Sequence, residues 1–392
     1  MLAGMEATAG TDIATPRDVL DAVGRLAPQI AARADGTEAA RRVPRDVLDG
    51  LTAAGVFRLL RPPSHGGLGA PLPDALLVFE ALARADASVG WNATMGAGSF
   101  IDIAGLPRAT FDALFANGPD VVTAGVFSPS GTLEADGDGF RVNGRWSFAS
   151  GCEDADWIYA NCIEGFDGGM PRMRMAVFTP DQVTIEDTWR VAGLCGTGSH
   201  HIRVEGVRVP VERTTRPMMD PPSVDAPFVR VPPPAFFALG VAGVALGVAR
   251  GALDDVLALA ADKVPLLHSR PLAEDATFHM ALATADTELA AARALWRETA
   301  ETVWATAEAG DVPTPPERAR TRAAAAWATH RAADVVRSAY RAGGGGALHL
   351  ASPLQRRLRD IDAITQHMLV RPDTLTTAGR ILAGQEPDVP VF

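Results

Sequence analysis

The pattern of hydrophobic and polar positions changes twice along the 392-residue chain. From Thr15 onwards, apolar residues recur at helical spacing, and Thr15 with Pro16 forms a helix start. Gly55 and Gly90 follow apolar runs and are read as helix ends. The spacing therefore predicts an α-helical domain over residues 1–119.

A second sequence pattern follows, in which short runs of strand-forming residues alternate with turn residues. The sequence DGDG at 136–139 and the pair Asn143 and Gly144 are typical hairpin turns. Short strands joined by such turns pair with their neighbours. We therefore predict an antiparallel β domain over residues 120–228.

Helical periodicity returns after a proline-rich linker and predicts a four-helix bundle over residues 229–392. The expected helices are Ala235–Asp262, Leu272–Gly310, Pro316–Ala342 and Ser352–Ala383, with the glycine run at 343–346 as a break. In the first helix, Gly243, Gly247 and Gly251 lie along one face, where a second helix can approach closely. Its uncharged part is too short to span a bilayer, so we expect a buried core helix and no membrane association.

Composition supports a globular protein, since 47% of the residues are hydrophobic and 21% charged. The formal charge is −11 and Lys263 is the only lysine, which argues against a nucleic-acid partner. Cys152, Cys162 and Cys195 lack the spacing of a zinc site or a disulfide framework. The start of the chain does not read as an export signal, and we expect a cytoplasmic protein.

Five segments together resemble one protein family. They are PPSHGGLGAPL (62–72), ADASVGW (85–91), VFSPSGTLEADGDGFRVNGRWSFASGCEDADW (126–157), DTWRVAGLCGTGSHHIRVEGVRVP (187–210) and SPLQRRLRDIDAITQH (352–367). The family comprises the flavin-dependent monooxygenases of two-component systems, a branch of the acyl-CoA dehydrogenase fold that includes hydroxyphenylacetate and hydroxylated-steroid hydroxylases. The resemblance implies an α+β chain with an N-terminal helical domain, a middle β domain and a C-terminal four-helix bundle, assembled as a homotetramer.

The resemblance also implies an activity. The chain would be the oxygenase component, which takes FMNH2 or FADH2 from a separate NAD(P)H-dependent flavin reductase. Through a C4a-hydroperoxyflavin and O2 it would hydroxylate a small aromatic or polycyclic substrate of phenolic, polyketide-like or steroid-like type. The sequence contains no GxGxxG or P-loop motif, which fits a chain that does not reduce flavin itself.

Two alternatives on the same fold stay open, an FAD-dependent acyl-CoA dehydrogenase and an N-oxygenase of an amino sugar. Many dehydrogenases of this fold carry a catalytic glutamate just after an Arg-Asp motif in the last domain. The corresponding stretch here runs from Ile364 to His367 and contains no carboxylate. A dehydrogenase that takes its glutamate from another helix is still compatible with this sequence.

Two catalytic residues are predicted. The resemblance points to the WSFASG segment for the partner of flavin N5, and alternation along a strand selects Ser150 because it would share a face with Trp146. His367 is the candidate proton handler and substrate contact, since imidazole titrates near neutral pH. Asp360, seven positions earlier on the expected helix, would orient its ring.

The remaining candidates have two sources. The resemblance gives Phe127, Ser128 and Arg270, whereas the hydroxyls of a glycine-rich turn suggest Thr197 and Ser199, aromatic pocket walls suggest Trp91 and Trp146, and a glycine-rich loop suggests His65. Phe127, Ser128, Trp146, Thr197, Ser199 and Arg270 would bind flavin, with Arg270 reaching a phosphate across the subunit interface. Trp91 and His65 would border the substrate. His200 and His201 are adjacent and point to opposite faces of a strand, so we expect no metal.

Overall fold

The computed structural model describes residues 13–386, and its elements follow the predicted order of helices, sheet and helices. The first helices are α1 (Pro16–Ala40), α2 (Arg45–Ala53), α3 (Leu72–Ala85), α4 (Ala87–Gly98) and α5 (Arg108–Leu114). The strands are β1 (Thr123–Asp136), β2 (Gly139–Ala149), β3 (Trp157–Asp167), β4 (Met170–Phe178), β5 (Thr184–Glu186), β6 (His200–Pro210) and β7 (Thr214–Thr215). The later helices are α6 (Pro227–Arg230), α7 (Pro233–Asp262), α8 (Ala276–Glu308), α9 (Pro315–Gly343), α10 (Pro353–Ile364) and α11 (Asp373–Leu382).

The N-terminal helices form around the predicted start at Thr15. Its hydroxyl accepts from the Asp18 amide, and the Asp18 carboxylate accepts in return, which completes a capping box. The expectation that Gly90 ends a helix is wrong, because Gly90 lies inside α4. A Cβ there would come within 2.6 Å of the Ala83 backbone, so this glycine permits close packing of α3 on α4.

The middle domain is one seven-stranded sheet in the order β5-β6-β2-β1-β3-β4-β7. Its neighbouring strands are antiparallel, as expected, except for the parallel pair β1 and β3. The DGDG turn closes the β1–β2 hairpin, where Asp136 pairs with Gly139. The predicted turn at Asn143 and Gly144 is wrong: both residues lie within β2, and Gly144 packs against Gly131 and Trp146.

In the C-terminal bundle, α7 and α9 match the predicted helices to within two residues. The second predicted helix begins later, at Ala276, because Leu272–Glu274 form a separate turn. The fourth predicted helix is broken into α10 and α11. This break places His367 outside any helix, with consequences for the site.

Helix α7 is the core of the bundle. It is long and apolar enough to cross a membrane, contrary to the length argument, but 89% of its most apolar window is buried within the chain, as in a core helix. Its three glycines admit different neighbours: Gly243 faces Trp296 of α8, Gly247 faces the backbone of α3, and Gly251 faces Arg357 of α10. The close approach expected at these glycines is confirmed, and it involves three different helices.

Gly247→Ala should destabilise the protein. A Cβ at this position would lie 2.3 Å from the Glu80 carbonyl oxygen, which belongs to the backbone of α3 and cannot move independently. We expect a loss of about 1–3 kcal/mol in the free energy of unfolding, measured by urea denaturation. Gly24→Ala in α1 is the matched control, since nothing lies within 4 Å of its Cβ. The control should be neutral or stabilising by up to about 1 kcal/mol, and equal losses in both variants would contradict the packing argument.

Candidate active site

Ser150 lies just beyond the end of β2, where the strand leaves its regular register. Pairing of β2 with β6 is interrupted between Trp146 and Ala149, and Phe148 adopts a left-handed conformation with φ 70°. Such a bulge turns the following side chains to new directions. The expectation that Ser150 and Trp146 share a face is therefore wrong, because strand alternation does not continue through the bulge.

Three hydroxyl groups form a continuous hydrogen-bonded chain at this point. Ser150 Oγ lies 2.7 Å from Ser199 Oγ, and Ser199 Oγ lies 2.7 Å from Thr197 Oγ1. Thr197 Oγ1 donates to the Leu194 carbonyl at 2.9 Å. Thr197 and Ser199 are 1% and 3% exposed. Their expected hydroxyl contacts with flavin or phosphate are therefore not what the structure offers, because both hydroxyls are buried and bonded to each other.

The backbone carbonyl and amide of Leu194 anchor these three hydroxyls to the rest of the molecule. Its carbonyl also accepts from Trp189 Nε1 at 3.0 Å, and its amide donates to Asp360 Oδ1 at 2.7 Å. Burial and the nearby charge of Asp86 raise the pKa of Asp360 to about 7. The expectation that Asp360 orients His367 is wrong, since its carboxylate holds Leu194 instead.

Trp91 joins the chain of hydroxyls to His367. The Trp91 indole donates from Nε1 to Ser150 Oγ at 3.0 Å, and its ring meets His367 edge to face at 5.5 Å. His367 follows α10 in the turn before α11, and its Nδ1 accepts from the Leu369 amide at 3.4 Å. The structure thus brings together Ser150, Trp91 and His367, three of the predicted site residues, from three distant parts of the chain.

The protonation state of His367 differs from the expectation of a group that titrates near neutral pH. Burial, with a smaller contribution from the charge of Arg322, lowers the pKa of His367 to about 4. The ring is therefore neutral at pH 7. With Nδ1 assigned as an acceptor, the proton lies on Nε2. At this pH His367 can donate a neutral hydrogen bond from Nε2, but it is not a charged acid.

The two carboxylates nearest to His367 in sequence already have partners. Asp360 is bonded to Leu194, and Asp362 pairs with Arg337. Neither is presented as a free base at the position where many dehydrogenases of this fold carry glutamate. This arrangement fits the sequence-based argument against proton abstraction from an acyl-CoA.

The surroundings of Ser150 suit a flavin ring. Asn92 Oδ1 is buried and has no hydrogen-bond partner, and the Asn92 side chain borders Gly151. Phe148 exposes 69% of its surface and meets Trp189 edge to face at 6.0 Å. A buried polar atom without a partner and, two residues before Ser150, an exposed aromatic ring are typical of a site for a flat heterocycle with hydrogen-bonding edges. The residues present therefore fit reduced flavin.

The segment containing Phe127 and Ser128 is also available for a ligand. Pairing of β1 with β3 is interrupted between Val126 and Gly131, which releases the backbone of residues 127–130 from the regular ladder. Asn161 Nδ2 donates to the Phe127 carbonyl at 2.9 Å. The predicted contacts of Phe127 and Ser128 with flavin remain predictions that this irregular segment supports.

Two predicted residues lie elsewhere. Trp146 is completely buried inside the β domain, where Nε1 donates to the Asn161 carbonyl at 2.7 Å. The His65 ring packs against Phe111 and lies 2.8 Å from Asp112 Oδ1, within the helical domain. The structure does not bring either side chain to Ser150, because burial in its own domain satisfies each of them.

Arg270 projects from the loop between α7 and α8, with 78% of its side chain exposed and only a long contact to Glu274. Its contact with a flavin phosphate across a subunit interface stays a prediction. In the part of the chain that the structure describes, no group of three or more His, Cys, Asp or Glu side chains could hold a metal ion.

A cavity of about 520 Å³ opens elsewhere, between the end of the helical domain and the bundle. Asp102, Thr215, Met219 and Arg322 are among its lining residues, whereas Ser150 and the other members of the hydroxyl chain are not. The size of this cavity does not make it the site, because the groups capable of the chemistry lie around Ser150.

The fold and site define a protein of the acyl-CoA dehydrogenase class. Residues 16–106 match the family model of the acyl-CoA dehydrogenase N-terminal domain, and residues 239–372 match that of the C-terminal domain. The chain is 35% identical over 353 residues to indole-3-acetate monooxygenase of Pseudomonas putida, covering 88% of this chain and 89% of that protein. It is 29% identical over 362 residues to the flavin-dependent monooxygenase oxygenase subunit HsaA of Rhodococcus jostii strain RHA1, covering 89% of this chain and 93% of that one.

A crystal structure of 3-HSA hydroxylase from Rhodococcus sp. RHA1 superposes with a TM-score of 0.88 at 26% identity, covering 96% of this chain and 99% of that chain. The chain therefore belongs to the flavin-dependent monooxygenases built on the acyl-CoA dehydrogenase fold. The predicted family, fold, enzyme class and use of reduced flavin with O2 are confirmed.

Sequence reasoning missed Phe148, Asn92 and Leu194. Phe148 lies in the same WSFASG segment as Ser150, so its signal was present, but alternation assigned the faces wrongly. Asn92 follows Trp91 directly and could have been considered with it. Nothing in the sequence marks Leu194, whose role depends on its backbone amide and carbonyl and on a left-handed backbone with φ 54°.

The pH dependence of stability should report the neutral state of His367. Because its folded-state pKa of about 4 lies below the unfolded value of about 6.5, the unfolded chain binds more protons between these values. Protonation therefore favours unfolding, and this contribution to stability is lost as pH falls from about 6.5 towards 4. His367→Gln removes the titration, so the variant's Tm relative to wild type should rise as pH falls from 7.5 to 5. A Tm difference that stays constant over this range would contradict the assignment.

Proposed function

We propose that this chain hydroxylates a small aromatic substrate, using flavin that a separate NAD(P)H-dependent reductase has reduced. The observation that carries the proposal is the cluster of Ser150, Trp91 and His367, which joins a hydroxyl, an indole and a neutral imidazole. The relatives support an aromatic substrate, since one is named for indole-3-acetate, and the term oxygenase subunit for another supports a separate reductase. The cytoplasm is the proposed location, consistent with three buried cysteines that form no disulfide.

Each residue of the cluster has a distinct part. Bound reduced flavin supplies the electrons that activate O2. Ser150 would accept a hydrogen bond from flavin N5, and Asn92 and the irregular segment at residues 127–130 would hold the polar edge of the ring. Trp91 is 7% exposed and keeps water from one side of Ser150. His367, neutral at pH 7 with its proton on Nε2, would donate a hydrogen bond to the oxygen of the substrate.

The proposed activity can be tested with chemically reduced FMN or FAD, without any reductase. Purified protein is mixed with reduced flavin under argon, exposed to ¹⁸O2 and offered a phenol, an indole-acetic acid and a steroid-like phenol. We expect one ¹⁸O atom in the product. His367→Ala should lower product formation by about 10²-fold or more, because removing one positioned hydrogen-bond donor from an active site typically costs this much, while reduced-flavin binding changes little.

Other outcomes would favour the alternatives. Flavin that bleaches with an acyl-CoA under argon, without ¹⁸O incorporation into any aromatic compound, would replace the proposal with dehydrogenase activity. Oxygen transfer to the nitrogen of an amino sugar, with no reaction on aromatic compounds, would favour the N-oxygenase. Thr94→Val is the matched control for the variant, since Thr94 is buried and its hydroxyl bonds only within α4, to the Gly90 carbonyl.

We further propose that the chain assembles as a homotetramer through the loop that carries Arg270. Leu266 and Leu267 in this loop are 89% and 97% exposed, which is costly for neighbouring leucines unless another surface covers them. Coverage by a second copy would bring Arg270 towards that copy's flavin phosphate, as the family resemblance implies.

Light scattering should give four times the 41.1 kDa mass of the chain. Replacing Leu266 and Leu267 together by Asp should yield smaller species, because charges would be buried at the contact. Phe166→Asp is the control, since Phe166 is 66% exposed in the β3–β4 hairpin, away from this loop in sequence. A monomeric wild type, or a tetramer unaffected by the double substitution, would refute this assembly.

A further inference from the structure

The hydroxyl chain behind Ser150 has a defined direction. Thr197 carries a single hydroxyl proton, and that proton is donated to the Leu194 carbonyl. The 2.7 Å contact between Thr197 and Ser199 therefore needs the Ser199 proton. By the same reasoning, the 2.7 Å contact between Ser199 and Ser150 needs the Ser150 proton. Every hydroxyl points towards Leu194 and away from the open side of Ser150.

This direction leaves Ser150 as an acceptor only. A hydroxyl oxygen can accept two hydrogen bonds, and one of these positions is filled by Trp91 Nε1 at 3.0 Å. One acceptor position remains for a ligand, and no proton remains to be donated. The Leu194 carbonyl cannot relax this constraint, because it already receives Trp189 Nε1 at 3.0 Å as well as Thr197.

Reduced and oxidised flavins differ at the atom concerned. The reduced ring carries a proton on N5 and donates, whereas the oxidised ring has a lone pair on N5 and requires a donor. We infer that Ser199 and Thr197 are positioning residues that make Ser150 select reduced flavin by fixing the direction of its hydroxyl. The inference rests on the proposed contact of Ser150 with flavin N5.

Burial of the linked hydroxyls keeps their hydrogen bonds pointing in one direction. Thr197 and Ser199 are almost completely buried, so water has little access to offer either hydroxyl a different partner. Asp360 holds the Leu194 amide from α10, which fixes the carbonyl at the end of the chain. The selection is therefore a property of the polypeptide before any ligand arrives.

The test is the ratio of dissociation constants for oxidised and reduced flavin, measured by anaerobic titration without turnover. Wild type should bind the reduced form more tightly. Ser199→Ala removes the acceptor of the Ser150 proton, which can then turn to oxidised N5. We expect oxidised flavin to bind roughly 3- to 10-fold more tightly to this variant, the gain of one neutral hydrogen bond, with little change for reduced flavin.

A second pair of variants keeps the test independent of Ser199. Thr197→Val preserves the shape of the side chain but removes the acceptor of the Ser199 proton. It should therefore reduce the ratio of the dissociation constants for oxidised and reduced flavin, as Ser199→Ala does. Thr197→Ser keeps the hydroxyl and should restore the wild-type ratio. Thr94→Val removes a buried hydroxyl that is not one of the three linked hydroxyls. It should leave the ratio of the two dissociation constants unchanged.

The outcomes separate the two proposals. A wild type that binds both redox forms equally, or a Thr197→Val variant that folds and retains the wild-type ratio, would overturn the positioning role while leaving the monooxygenase function intact. Failure of the wild type to bind reduced flavin at all would overturn the proposed flavin site itself. Ser150→Ala should weaken the binding of reduced flavin by the same 3- to 10-fold, since it removes the hydroxyl that accepts the hydrogen bond from flavin N5.

Discussion

The site depends on the backbone N–H and C=O of one buried residue, Leu194, both of which are hydrogen-bonded. The carbonyl of Leu194 receives both Trp189 and Thr197, and its amide is held by Asp360. A buried peptide without partners would cost free energy, so these bonds are a condition of folding as much as of function. The three partners come from the β-domain loops and from α10. Formation of these hydrogen bonds to Leu194 therefore brings the β domain and the helix bundle together. The direction of the Ser150 hydroxyl then follows from the bond between Thr197 and the Leu194 carbonyl.

Much of the fold could be predicted because its causes are local. Apolar spacing and proline or threonine starts define α7 and α9 to within two residues, and the DGDG turn defines the β1–β2 hairpin. The errors arise where a distant neighbour decides. Gly90 resembles a helix end until Ala83 is seen to require the missing side chain, and Gly144 resembles a turn until Gly131 and Trp146 are seen beside it. Such packing involves residues that no short window of sequence contains.

The sequence allows several residues of the site to be identified, but not their arrangement in space. Ser150, Trp91 and His367 could be selected from sequence segments, and the structure brings them together. Their relations could not be derived, because a left-handed residue at position 148 reverses the face of Ser150 and a helix break separates His367 from Asp360. Thr197 and Ser199 were assigned to the ligand when burial commits them to the protein. Regular periodicity fails at the irregular backbone from which sites of this kind are often built.

The difference between this site and that of a dehydrogenase on the same fold is therefore one of charge more than of shape. Removal of a proton from carbon requires a strong, ionised base, whereas the groups around Ser150 are hydroxyls, an indole and an imidazole whose pKa of about 4 keeps it neutral. The neighbouring carboxylates are held by Leu194 and Arg337 and serve structure. Because the side chains that bond or pack directly around Ser150 are uncharged, the directions of their hydrogen bonds have a large influence on which ligand is bound. The hydroxyl direction at Ser150 consequently matters more here than it would beside a catalytic carboxylate.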